Sequence, residues 1–141
     1  MLNVLFLDDQ FERHRIFKKI FPEAVLTCTA NEAIWALGSR DFQVASLDHD
    51  LAYPDWKTQN NKRPYGAPGS GSEVVEWIVK NRPKVERFWI HSHNRDAGWK
   101  MVTALRQARY QALYLPFSYQ LDRPGELYWG SELNDPTSRP A

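Results

Sequence analysis

VASLDHDLAY, residues 44–53, is the stretch on which the reading of this chain turns. Val44, Ala45, Ser46 and Leu47 have the character of a buried strand, and they run straight into Asp48, His49 and Asp50. A buried carboxylate without a partner is costly, so such a cluster must be paired, metal-bound or solvated in a cleft. If the strand stays extended, Asp48 and Asp50 share one face and His49 takes the other.

The same pattern recurs outward from this stretch. Residues 2–9, LNVLFLDD, form an apolar run that ends in two acids, and QFERHRIFKKIF (10–21) follows with Phe17, Ile20 and Phe21 at helical spacing. AVLTCT (24–29) is short and β-branched. TANEAIWAL (29–37) opens with Thr29 and Glu32 in capping-box register and stops at Gly38. FQVASLDHD (42–50) is a third strand, SEVVEWIVKN (72–81) a third helix capped by Ser72, and VERFWIHS (85–92) a fourth strand. DAGWKMVTALRQA (96–108) aligns Trp99, Val102, Leu105 and Ala108 on one helical stripe, and ALYLPF (112–117) is a fifth strand closed by Pro116.

Apolar strands that alternate with helices belong to a parallel sheet covered on both faces. The expected fold is therefore a small doubly wound α/β domain, a five-stranded parallel sheet over residues 1–117 with a partly irregular extension at 118–141. A polar loop rich in Pro, Asn and Gly, from Ala52 to Gly71, interrupts the alternation, and loops of that length are usually functional lids or partly disordered.

Composition sets the outer limits. With 43% hydrophobic and 13% aromatic residues in 141, the chain can fill one core. Its 18 Lys plus Arg balance 17 Asp plus Glu, so no overall field favours extended duplex nucleic acid or an anionic membrane, and an anionic ligand must be held locally. The single cysteine, Cys28, reads as a small core side chain. No apolar run is long enough to cross a bilayer or to act as a signal peptide, and a cytoplasmic location is expected.

Ligands of open α/β sheets bind beyond the carboxyl ends of the strands, where strand order reverses. Here the first strand ends in Asp8 and Asp9, the third in Asp48, His49 and Asp50, and the fourth in His91, Ser92, His93 and Asn94. In the flavodoxin-like order 2-1-3-4-5 these groups converge on one edge. Plainer roles compete at single positions. Asp9, three residues before Glu12, has the grammar of a helix N-cap, as does Asn94, and His14 reads as a boundary residue. Neighbouring carboxylates repel, and a shared proton or a divalent cation relieves them. Acid oxygens favour Mg²⁺ or Mn²⁺, and added imidazole shifts preference toward Mn²⁺ or Zn²⁺. Glycines in PGSGSEVV (68–75) precede a helix N-terminus, which alone is only a loop-to-helix junction.

The order of elements resembles the receiver domain of two-component response regulators over about residues 2–117. LDHDL (47–51) and HSHNRDAGWKM (91–101) resemble, in order, the LDHDL and HSxNxxGxxxM signatures of the cyclic-phosphate processing receiver-like family. That resemblance implies a site made of Asp8, Asp9, Asp48, His49, Asp50, His91, Ser92 and Asn94, with Gly98 as a structural position and His93 on an open one. A phospho-accepting receiver keeps a lysine just after its fifth strand, and LYLPFSYQL (113–121) has none. The expected activity is a metal-dependent phosphoesterase acting on a cyclic phosphate of a nucleotide or RNA end. Asp8, Asp9 and Asp48 would hold Mg²⁺ or Mn²⁺, His91 or His49 would transfer the proton beside Asp50, and Ser92 and Asn94 would hold the phosphoryl oxygens. The alternatives are a module that sequesters a cyclic nucleotide without cleaving it, and a degenerate receiver acting through protein contacts.

Overall fold

The computed structural model describes residues 2–52 and 68–122. Its elements alternate as the hydrophobic pattern predicts: β1 Val4–Leu7, α1 Phe11–Ile20, β2 Val25–Thr27, α2 Ala30–Ser39, β3 Phe42–Leu47, α3 Gly71–Asn81, β4 Val85–Ile90, α4 Arg95–Gln107, β5 Gln111–Tyr114 and α5 Phe117–Asp122. The sheet is parallel throughout, in the order β2-β1-β3-β4-β5. The short helix α5 lies in a stretch where periodicity alone suggested no element.

Each strand is apolar on both faces because both are covered. Leu5, Leu7, Ala45, Leu47, Phe88 and Ile90 pack against α2, α3 and α4. Val4, Phe6, Val44, Trp89 and Leu113 face Phe17 and Phe21 of α1, with Phe117 and Leu121 of α5 against the same cluster. Cys28 is a buried core side chain, as expected.

Register brings the strand ends level. Leu7 pairs with Leu47 and Leu47 with Ile90, so the next residues, Asp8, Asp48 and His91, emerge side by side. Backbone bonds continue the ladder one step further, Asp48 N–H to Leu7 O at 3.0 Å and His91 N–H to Leu47 O at 3.1 Å.

Three local expectations are corrected. Ser70, not Ser72, caps α3: its hydroxyl accepts Glu73 N–H, because the Asp50–Ser70 bridge holds Ser70 extended and the helix starts at Gly71. Asp9 does not cap α1. Gln10 occupies that position without a side-chain cap, and the Asp9 carboxylate turns instead to Ala52 N–H at 2.9 Å. His14 is buried rather than at a boundary, its Nε2 2.5 Å from Asp8 O and its ring edge-on to Phe6. The Thr29–Glu32 capping box and the Asn94 cap are present as read. Of the 52–71 loop, residues 53–67 lie outside the described residues.

Gly71 is where α3 presses on the acidic strand end. A Cβ there would lie 2.1 Å from Asp48 O and 2.9 Å from His49 Cα, and its own N–H donates to His49 O at 2.9 Å. Backbone must therefore move to admit a methyl group. Gly71→Ala should destabilise the fold by about 1–3 kcal/mol in urea unfolding, the usual range for overpacking.

Candidate functional site

Asp8, Asp48 and His91 each offer a ligand atom, and these atoms all lie within 4.8 Å of one another. All three residues are buried. His91 Nε2 is 3.0 Å from Asp8 Oδ2, and its ring stacks on Phe6 at a centroid distance of 5.0 Å. The remaining oxygen of Asp8 accepts Gln10 N–H at 2.8 Å. Asp48 Oδ1 accepts His49 N–H, also at 2.8 Å.

A cation already stands over this cluster. Arg13 Nε is 3.0 Å from Asp8 Oδ2, while its Nη2 is 4.0 Å from Asp9 Oδ1 and 3.9 Å from Asp48 Oδ2. Its Nη1 meets His93 Nε2 at 3.2 Å. A guanidinium only donates, so that His93 nitrogen accepts. Above the cluster is an open cleft of about 420 Å³ lined by Asp9, Gln10, Arg13, Asp48, Asp50 and His93, with Leu51 and Ala52 on its wall.

The two buried acids are pushed apart. Burial raises the Asp48 pKa from an ordinary 3.8 to about 6, and the Asp8 charge adds to the rise while His91 and Arg13 only partly offset it. Burial also pushes Asp8 up, but its hydrogen bond and charge contact with His91, the Gln10 N–H and Arg13 outweigh that and hold it below the usual value. Environments that split two neighbouring carboxyls in this way mark a site rather than a structural pair. Two carboxylate oxygens and an imidazole nitrogen are also a donor set suited to Mg²⁺, Mn²⁺ or Zn²⁺. A cation there would offset both the burial and the Asp8 charge that raise Asp48, so the residues fit a divalent metal.

The other expected residues distribute around this core. Asp9 lines the cleft outside the three-atom cluster. His49 Nδ1 is held 2.5 Å from Asp50 Oδ1, which fixes the ring and leaves its second nitrogen for proton transfer. Ser92 is buried and its Oγ accepts Asn94 N–H at 3.0 Å, while Asn94 Oδ1 caps α4 through Ala97 N–H at 3.2 Å. Both side chains thus shape the β4–α4 turn. Gly98, one position beyond the glycine of the family signature, lets α4 close on β5, since a Cβ there would lie 2.4 Å from the Tyr114 ring.

Sequence patterning passed over three members of the site. Arg13 stands four residues after Asp9, the spacing of a helical ion pair, and that signal was available. Ser46 is a hydroxyl on an otherwise apolar strand, and its Oγ lies 2.9 Å from His91 Nδ1. Gln120, wholly buried on α5, accepts the Ser46 hydroxyl proton at 2.6 Å, a contact no spacing foretells.

A family model described as the cyclic-phosphate processing receiver domain matches residues 3–107. The chain belongs to that family. No curated protein sequence matches it. Solved structures with the same fold include a CheY-like receiver domain from Methanospirillum hungatei JF-1, 20% identical, covering 94% of this chain and 98% of that one with a TM-score of 0.60. The response regulator TrrA from Thermotoga maritima, in complex with Mg(2+)-BeF, is 18% identical, covering 89% and 95% with a TM-score of 0.62. The receiver domain of CheB from Thermotoga maritima is 19% identical over 96% and 99%, with a TM-score of 0.59. Among the described residues no helix is long and apolar enough to cross a membrane.

The split acids predict how the metal-free protein responds to pH. Folded Asp48 binds its proton more tightly than the unfolded chain does, so stability falls as pH rises from 3.8 to about 6. The shift corresponds to roughly 3 kcal/mol. Asp8 acts oppositely and in a lower window, its contribution being lost as pH falls below the ordinary 3.8. Asp48→Asn should flatten the decline between the two values and raise the melting temperature of the metal-free protein at pH 7. An unchanged pH profile in that variant would remove Asp48 as its source.

Proposed function

We propose that this chain is a divalent-metal-dependent phosphoesterase that opens or hydrolyses a cyclic phosphate on a nucleotide or an RNA end. The observation that carries the proposal is the convergence of Asp8, Asp48 and His91 from three neighbouring strands beneath an open cleft. The family description supports the substrate class, and the Mg(2+)-BeF complex of TrrA, a response regulator of the same fold, supports a divalent cation as the metal.

Asp8, Asp48 and His91 Nε2 are the groups that would hold the cation. When bound, a divalent cation polarises a phosphoryl oxygen and makes a bound water more acidic. Arg13 and His93 line the same cleft, where the guanidinium supplies positive charge toward an anionic ligand. The residue we assign to proton transfer is His49, oriented by Asp50, although the cleft itself is lined by its neighbours Asp48 and Asp50. Its ring is partly exposed, whereas His91 has both nitrogens engaged, one by Asp8 and one by Ser46. The sequence favoured His91 for that step, with His49 as the substitute; the burial of His91 supports giving it the holding role and His49 the transfer. The absence of a lysine after β5 sets this chemistry apart from phosphorelay, since the segment there supplies Phe117, whose ring packs 6.2 Å from that of His91.

The test is incubation with cyclic mono- and dinucleotides and with RNA ending in a cyclic phosphate, with Mg²⁺ or Mn²⁺ and then with EDTA. Turnover that EDTA abolishes is the expected result. Tight binding without turnover would replace the proposal with sequestration, and neither binding nor turnover would leave a receiver that acts through protein contacts. His49→Gln should fold and bind Mn²⁺ normally yet lose about 10²- to 10⁴-fold in rate, the usual contribution of general acid–base catalysis. His91→Gln should instead lose Mn²⁺ binding itself. A His49→Gln protein of native rate would return the proton-transfer role to another side chain.

A further inference from the structure

Gln120 stands at the far end of a buried chain of hydrogen bonds that reaches the acidic cluster from α5. Its Nε2 donates to Leu115 O at 2.8 Å. A carbonyl only accepts, so the amide is oriented with Oε1 toward Ser46. Oε1 has no proton to give, and the Ser46 hydroxyl therefore donates to it, at 2.6 Å. A hydroxyl has one proton. With it directed at Gln120, Ser46 Oγ can meet His91 Nδ1 at 2.9 Å only as an acceptor, so Nδ1 must carry a hydrogen.

We propose that Gln120 is a positioning residue that acts through Ser46 to keep a proton on His91 Nδ1, so that Nε2, which faces Asp8 Oδ2 at 3.0 Å, is the nitrogen left to give up its hydrogen to a cation at the Asp8–Asp48 cluster. Without this chain the opposite tautomer is the natural one. The Ser46 hydroxyl would turn to donate to Nδ1, and an Nε2 proton would point straight at Asp8 Oδ2, 3.0 Å away. That arrangement satisfies every group and closes the nitrogen to a cation. Gln120 prevents it because releasing the Ser46 proton would leave a wholly buried amide oxygen without a partner, a cost of about 1–3 kcal/mol. The short helix α5, which carries Gln120, thereby becomes part of the site although it touches none of the three clustered side chains through this residue.

The hydrogen on Nδ1 follows from the bonds of Gln120 and Ser46; its consequence for metal binding rests on the metal-dependent reading proposed above. Gln120→Met keeps length and volume and removes the acceptor. Two-bond ¹⁵N–¹H correlation spectra of the metal-free protein, followed to the alkaline limit of the fold, should find the His91 proton on Nδ1 in the native chain and on Nε2 in Gln120→Met. Ser46→Ala, which removes the middle link, should release the same proton, and the double variant should be no worse than either single one because the two residues act in one chain. Mn²⁺ affinity should fall about 10- to 100-fold in each, the usual effect of losing the group that orients a ligating histidine. A native proton on Nε2, or one that stays on Nδ1 in both single variants, overturns the positioning role. A native protein that binds no Mn²⁺ overturns the metal reading alone, since the spectra decide the role of Gln120 without it.

Discussion

Two carboxylates and an imidazole buried at the ends of three adjacent strands are the constraint to which the rest of this molecule answers. Asp8 and Asp48 cannot both sit ionised in a dry site without help, and the split in their proton affinities records the conflict. The surrounding structure meets it from several sides. Arg13 brings a guanidinium from α1, the first turn of α1 gives Asp8 a backbone N–H, and the β3 end folds back so that His49 N–H serves Asp48.

Much of the packing near the site makes sense as support for those three side chains. His91 stacks on Phe6, with the Phe117 ring tilted nearby and the Ser46 hydroxyl at its Nδ1 edge, contacts that hold the ring toward Asp8. His14 steadies the Asp8 backbone from behind. Gly71 brings the start of α3 into backbone contact with Asp48, and Gly98 does the same for α4 against Tyr114. A metal or phosphoryl group needs ligands held to within a fraction of an ångström, and rigid strand ends backed by tight helix contacts provide that better than loops.

The family relationship and the departures from a phospho-accepting receiver fit one physical picture. Receivers of 20% identity or less share this fold. Function resides in the site that the fold carries. Here His91 follows β4 beside Asp8, and Phe117 follows β5 against the His91 ring.

How much of this was legible follows from the range of the forces involved. Strand–helix alternation, the parallel sheet and the convergence of Asp8, Asp48 and His91 could be read from the sequence because each is a local pattern: apolar runs, capping grammar and charge at a strand's end, joined by one rule of sheet topology. The misreadings at Asp9, Ser72 and His14 are also local, and each failed where a distant partner outbid the neighbourhood, Ala52 for Asp9, Asp50 for the start of α3 and Asp8 O for His14. That both ring nitrogens of His91 are engaged was decided only by tertiary structure, because its partners Asp8 and Ser46 belong to strands that meet in space. The link from Ser46 to Gln120 joins residues 74 positions apart, and a hydrogen bond of that span leaves no periodic trace in a sequence.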